Sequence, residues 1–234
     1  MVDIHCHLMP GIDDGPTTWE TTLKLCDQAV AEGITHIVAT PHCNHVYTFD
    51  RPASQAVLDQ LSERCPKINV SLGCEFNINE TNLVRLRANP AHFAFSGTRY
   101  ILVEINSLDR PQYTENTLSE LLSLGLIPII GHPERIPLLV RRMDLLEQWL
   151  SYGCLAAVTG NSFDGFWGPV AKKYCEMIVK KGLVHAIVSD AHHPERRPLV
   201  LAKAKKAAAK LVGAAHAERL VTQNPAAIFA DDDI

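Results

Sequence analysis

The chain has 234 residues, 47% hydrophobic and 21% charged, with a formal net charge of −4 and a pI near 6.2. That balance belongs to an ordinary globular protein rather than a disordered one, and it provides no overall positive field to collect nucleic acid. No segment reaches the ~18 apolar residues of a membrane span, so neither nucleic-acid binding nor membrane insertion is expected. The opening MVDIHCHLMPGIDDGP lacks a basic n-region and an unbroken apolar run, and so does not read as a signal peptide. Seven scattered cysteines, Cys6, Cys26, Cys43, Cys65, Cys74, Cys154 and Cys175, contain no C-x-x-C pair, which points to a reducing, cytoplasmic setting. A chain of this length sustains one large core, so a single domain over residues 1–234 is expected.

In chain order, an apolar run at Val2 to Leu8 reads as a first strand. A helix follows from Thr17 to Gly33, with Leu23, Ala29 and Val30 marking its apolar face and Gly33 its stop. Ile34 to Thr40 is a second strand, and Ala53 to Arg64 a helix beyond a loop. Ile68 to Glu75 is a third strand, Tyr100 to Asn106 a fourth and Leu126 to His132 a fifth, with a helix from Glu115 to Leu124 before the last. Helices at Met143 to Tyr152 and Val170 to Lys181 each precede a strand, Leu155 to Asn161 and Val184 to Asp190. An alanine-rich helix, Leu199 to Val212, and a shorter one at Ala215 to Val221 follow. Seven strands alternating with helices imply an α/β fold with parallel pairing and right-handed crossovers. Runs such as ILVEI and HAIVS suit strands covered on both faces. A doubly wound sheet and a barrel both fit that order, but no G-x-G-x-x-G or P-loop supports a nucleotide-binding open sheet.

Polar residues gather at the strand ends: His5 and His7, His42, Glu75, Glu104, His132, Asn161, and Asp190 with His192. In a parallel barrel these ends open on one face, where catalytic groups collect. At i and i+2, His5 and His7 point the same way and can grip one ion. Imidazole with carboxylate and no thiolate suits Mn, Fe or Zn. So large a ligand set exceeds one ion and implies two or three, able to activate water and clamp attacking and leaving oxygens. Cys6 and Cys43 are assigned to packing, and His36, His45, His92, His185, His193 and His216 to ordinary structural roles. Arg135 and Arg197 each follow a candidate ligand, where a guanidinium fork could take phosphate oxygens, whereas Arg196 is assigned to the surface. Tyr47, Phe49 and Phe166 lie in loops that could rim such a site.

The ordered set HCH, DDGP (13–16), TPH (40–42), GCE (73–75), VEI around Glu104, GHPER (131–135), SDAH (189–192) and NPAAIF resembles the PHP-domain superfamily. Within it, the set is similar to the bacterial manganese-dependent protein tyrosine phosphatases of capsule and exopolysaccharide operons, from Met1 to about Phe229. The resemblance implies a distorted (β/α)7 TIM-like barrel with a trinuclear centre. One ion would be held by His5, His7, Glu75 and Asp190, a second by Glu75, Glu104 and His132, and a third by Asp14, His42 and His192, with Asp14 also counted as catalytic. Arg135 and Arg197 would take the substrate phosphate while a metal-activated hydroxide attacks phosphorus in line. The implied substrate is phosphotyrosine, typically on the tail of a bacterial tyrosine kinase, and the implied metal Mn²⁺, with Fe or Zn as substitutes.

A cysteine-dependent tyrosine phosphatase needs Cys with Arg six positions later, and none of the seven cysteines has one. Rival readings are another PHP phosphoesterase such as a histidinol-phosphate phosphatase, a TatD-like metal-dependent nuclease, which VDIHCHL also suits, and a non-catalytic metal-dependent binding module.

Overall fold

The computed structural model describes residues 1–106 and 110–234. Among these residues nine short strands form: β1 (Val2–Cys6), β2 (His36–Ala39), β3 (His42–Cys43), β4 (Asn69–Leu72), β5 (Glu75–Asn77), β6 (Tyr100–Glu104), β7 (Ile127–Gly131), β8 (Leu155–Thr159) and β9 (Ala186–Val188). They make two parallel sheets, β1-β2-β4 and β3-β5-β6-β7-β8-β9. Beside the second sheet's far edge, the Asp190 N–H donates to His5 O at 2.8 Å and the His7 N–H to Ala191 O at 2.9 Å. Among the described residues, helices α1 (Trp19–Glu32), α2 (Arg51–Arg64), α3 (Glu80–Ala88), α4 (Pro111–Ser123), α5 (Pro137–Arg141), α6 (Met143–Ser151) and α7 (Gly168–Lys180) lie between strands, and α8 (Leu201–Val212), α9 (Ala214–Glu218) and α10 (Asn224–Phe229) follow the last one. Among the described residues no helix is long and apolar enough to cross a membrane.

The alternation of strand and helix is as expected, but the second and third strands each arrive in two pieces. Pro41 has no N–H to donate to a ladder and separates β2 from β3. Gly73 separates β4 from β5 because the Phe95 ring lies against it; a Cβ there would fall 2.4 Å from that ring. Backbone bonds carry the pairing across both breaks, from the Gly73 N–H to Ala39 O and from the Glu75 N–H to Pro41 O. Glu75 therefore opens a strand segment instead of closing one. Helix α3, not anticipated from the apolar pattern, is capped by Asn79, whose side chain accepts from the Asn82 N–H, and buries Leu83 and Leu86. In α1 the buried face is Thr22, Leu25, Cys26 and Ala29, while Val30 is exposed.

A bulge in β1 decides where the site lies. Asp3 pairs with Ile37 and Cys6 with Ala39, so β1 spends three residues where β2 spends two. Such an extra residue reverses which side chains face inward beyond it. Val2 and Ile4 join an apolar cluster with Val38, Tyr100, Leu102, Ile129, Ala157 and Val188; past the bulge, His5 and His7 turn to that same face.

Candidate metal centre

Beyond the bulge, His5 Nε2 and His7 Nε2 stand 3.2 Å apart, both buried. His42 at the head of β3 pairs in register with Glu75, and Asn77 with Glu104, so adjacent strands deliver an imidazole and two carboxylates to one side of the sheet. His132 and Asp190, just past β7 and β9, both adopt positive φ, 37° and 51°. That left-handed region is costly for residues with a Cβ and concentrates at functional sites.

The DDGP loop folds under this group. Asp13 Oδ2 accepts from His7 Nδ1 at 2.6 Å and from the His42 N–H at 3.0 Å, while Asp14 faces inward. Gly15 is required because a Cβ there would meet His7 O at 2.7 Å.

Four sets of side chains bring their ligand atoms within 4.8 Å of one another: His7, Asp14, His42 and His192; His5, His7 and Glu75; His5, His132 and Asp190; and His42, Glu75 and Glu104. All nine candidate ligands named from the sequence fall into these sets. Asp14, His42 and His192 meet as grouped above, with His7 added. Glu104 associates with His42 instead of His132, and His132 with Asp190, although His132 Nε2 also lies 2.6 Å from Glu75 Oε1. Glu75 is the hub: Oε2 is 3.3 Å from His7 Nε2 and 2.9 Å from His42 Nδ1. On the outer side, His192 Nε2 and His42 Nε2 are 3.3 and 3.2 Å from Asp14 Oδ1.

The residues fit divalent cations on three counts. Glu75 Oε2, Asp190 Oδ1 and His192 Nε2 are buried and make no well-formed hydrogen bond although ionisable neighbours stand within 3.3 Å, an arrangement that a cation among them would satisfy. His7 and His192 spend Nδ1 outward, on Asp13 and on the Asp190 backbone carbonyl, which fixes Nε2 toward the centre as in carboxylate–histidine–metal sites. The centre also attracts positive charge. Burial opposes a charged His7, yet Asp13 and Glu75 raise its pKa to about 9; burial likewise opposes a charged His42, but Asp14 and Glu75 raise it to about 11. Burial and the neighbouring His7 cation instead push His192 down to about 4. Glu75 and Asp190 are held well below the ordinary carboxylate range although burial works the other way, His5 providing the largest opposing pull on each. A site so anionic that it draws protons onto histidine can equally be neutralised by metal ions.

Over residues 1–230 the chain matches the family described as "Capsular polysaccharide synthesis, CpsB/CapC". It is similar to the tyrosine-protein phosphatase YwqE of Bacillus subtilis, with 33% identity over 84% of this chain and 79% of that one. Similarity to the tyrosine-protein phosphatase CpsB of Streptococcus pneumoniae is 27% over 99% of both chains. A solved structure from work on those two enzymes, described as metal-dependent tyrosine phosphatases, superposes with a TM-score of 0.93 at 30% identity, covering 100% of this chain and 96% of the other. The chain belongs to the CpsB/CapC family.

In this CpsB/CapC chain the two arginines converge where the ligands do. Arg135 Nη2 is 3.0 Å from Asp190 Oδ2, and Arg197 Nη2 donates to the same oxygen. Among the described residues neither pairs with a glutamate. Glu134 is instead buried, its Oε1 accepting from the Thr159 N–H and from the Thr159 and Ser162 hydroxyls, which ties the Arg135 turn to the end of β8. Arg197 Nε is buried without a hydrogen-bond partner. Both guanidiniums sit over Trp167, 4.3 and 5.1 Å from its ring centroid, a stacking arrangement that orients the cations.

Sequence reasoning missed Asp13 and Trp167. Asp13 differs from Asp14 only by aiming beneath the site, while the GFWGP loop offered Trp167 as an aromatic among turn residues. Phe49 is a correction: it is buried in the core beside Phe93, not at the rim. Tyr47 stacks parallel to His42 with centroids 6.0 Å apart, and Phe166 is exposed against the edge of Trp167. Asn161 lies in the turn Gly160–Asp164, where its carbonyl accepts from the Phe166 N–H and helps shape the Trp167 loop. Cys6 and Cys43 are buried, and among the described residues none of the six histidines assigned to structural roles enters a metal-holding set.

Proposed function

We propose that this CpsB/CapC chain is a metal-dependent protein tyrosine phosphatase, hydrolysing the phosphate ester of phosphotyrosine to tyrosine and inorganic phosphate. The observation that carries the reading is that four sets of side chains able to hold an ion and two arginines share one largely buried cluster open at Asp14, with Asp190 common to a set and to both guanidiniums. His5, His7, Asp14, His42, Glu75, Glu104, His132, Asp190 and His192 hold two or three divalent ions, Mn²⁺ first among them. Bound there, such ions supply Lewis acidity and a lowered pKa for coordinated water. Arg135 and Arg197 orient the phosphate and offset charge developing on its oxygens. Asp14, kept ionised by His192 and His42, is the catalytic carboxylate at the mouth. Trp167 keeps both guanidiniums in place, and the burial of Glu75 and Asp190 excludes bulk water beneath the phosphate.

The substrate protein is proposed to be a phosphotyrosine-bearing bacterial kinase tail, and the setting cytoplasmic, as supported by seven free, buried cysteines. The sheets are proposed to close as one distorted (β/α)7 barrel domain, supported by the backbone bonds from Asp190 and His7 across to the partner segment. The named relatives are tyrosine phosphatases, which favours this reading over a histidinol-phosphate phosphatase or a nuclease.

Metal-stripped protein assayed on a phosphotyrosine peptide, a phosphoserine peptide, histidinol phosphate and single-stranded DNA, with and without Mn²⁺, Fe²⁺ or Zn²⁺, tests it. Metal-dependent release from phosphotyrosine alone is expected. Turnover confined to histidinol phosphate or DNA would move the chain to a rival reading.

A further inference from the structure

Beside the arginines, on the outer face of α5 and α7, runs an open groove of about 470 Å³ whose walls include Arg135, Trp167, Val140, Arg141 and Val170. A second depression of about 530 Å³ shares Val140 and Val170 and extends the groove to Lys173 and Met177. At ~1.5 Å rise per residue, the α7 side from Trp167 to Met177 spans about 15 Å, the length of four or five extended residues at ~3.3 Å each.

This surface differs from the rest of the molecule in two ways. Among the described residues, two of the exposed large hydrophobic side chains, Val170 and Met177, line it, with Val170 63% exposed, and a third, Phe166, stands against the edge of its wall residue Trp167; such grouping marks an interaction site where single exposed apolar residues do not. Its charge is also one-sided. Among the described residues Arg141 and Lys173 are exposed and make no ion pair, and the acid lining the groove, Glu134, is buried and bonded to Thr159 and Ser162. Trp167 and Arg135 are walls of the groove, Arg135 also pairs with Asp190 and Trp167 lies under both guanidiniums, so a chain lying in the groove leads directly to the candidate phosphate position.

We infer that this groove binds the segment of the substrate protein flanking its phosphotyrosine, four or five extended residues that combine apolar with acidic side chains. The inference rests on the phosphatase reading and adds to it a second recognition surface, one that sets which phosphotyrosines are taken. Apolar side chains lie over Val140 and Val170, and carboxylates meet Arg141 and Lys173. A small aryl phosphate, which cannot reach beyond the arginines, does not use it.

The test compares p-nitrophenyl phosphate with phosphotyrosine peptides whose N-terminal or C-terminal flank is either Asp/Leu-rich or Lys/Gly-rich, in the Mn²⁺-loaded unaltered protein and in a variant carrying R141E and V170D. Both altered side chains are exposed, so folding is retained. The unaltered protein is expected to favour one Asp/Leu-flanked peptide about tenfold in kcat/KM, through KM. In the variant that preference disappears while turnover of p-nitrophenyl phosphate stays within about twofold. Equal use of all peptides, or a preference that survives in the variant, overturns the groove and leaves the phosphatase reading standing. A dimer in light scattering that the variant dissociates, with peptide KM unchanged, assigns the face to a second copy and also overturns it. Failure of the unaltered protein on every phosphotyrosine substrate and on p-nitrophenyl phosphate would remove the site reading, and the groove's role with it.

Discussion

Two layers on one face of the sheets are built from the same rows of side chains yet have opposite chemistry. Toward the strands' beginnings, Ile4, Val38, Leu102, Ile129 and Val188 pack into an apolar cluster. Two to four residues further along the same rows stand His42, Glu104 and Asp190, among carboxylates and imidazoles that lack enough partners. The lower layer lowers the free energy by removing apolar area from water, about 25 cal/mol per Å². The upper layer raises it, since buried charge is recovered only by partners of opposite sign. The difference teaches that the fold concentrates its stabilisation directly beneath the groups that cost most, and leaves the upper layer's deficit to be met by ligands.

Substitutions in the two layers should therefore fail in different ways. The largest expected effect is from Glu75→Gln, which removes the hub carboxylate. Phosphotyrosine turnover should fall by about 10³-fold, with metal content, measured by mass spectrometry of the folded protein, falling alongside. Arg135→Ala should lower turnover by about 10²-fold or more while metal content is kept; full activity in that variant would rule Arg135 out of the phosphate site. Asp13→Asn touches the centre only through His7, and a loss of about 10- to 100-fold in metal affinity is expected, read by competition with a chromophoric chelator. Leu102→Ala, in the lower layer, should cost about 2–5 kcal/mol of stability in urea unfolding, yet leave turnover per folded molecule within about twofold. If Leu102→Ala instead stripped the metal, the two layers would be one unit and the comparison would break.

Much of this was legible in the sequence because a parallel α/β order puts strand ends together and the ligand residue types mark those ends. His5 and His7 at i and i+2, His42 after TP, and Asp190 with His192 after the last strand all lie in the groups of side chains that could hold an ion. The bulge between Asp3 and Cys6 was not legible: an extra residue in a hydrogen-bond ladder depends on the partner strand, and the run VDIHC carries no sign of it. The breaks at Pro41 and Gly73 had a visible cause only for proline, since Gly73 answers to Phe95, twenty-two residues away in sequence. Trp167 escaped because stacking under two arginines from different loops is a tertiary fact with no local pattern. Phe49 failed for the complementary reason, in that a loop aromatic is as free to turn into the core as to line a rim.

The central claim is that the upper layer is a multinuclear metal centre running phosphotyrosine hydrolysis. Its most direct test is a titration of metal-stripped protein with Mn²⁺, counting bound ions per chain and measuring phosphotyrosine-peptide turnover at each step. The account predicts no turnover in the stripped protein and activity that rises as two or three ions bind. Full turnover in the stripped protein, or saturation at a single ion with the remaining ligands unused, would contradict it.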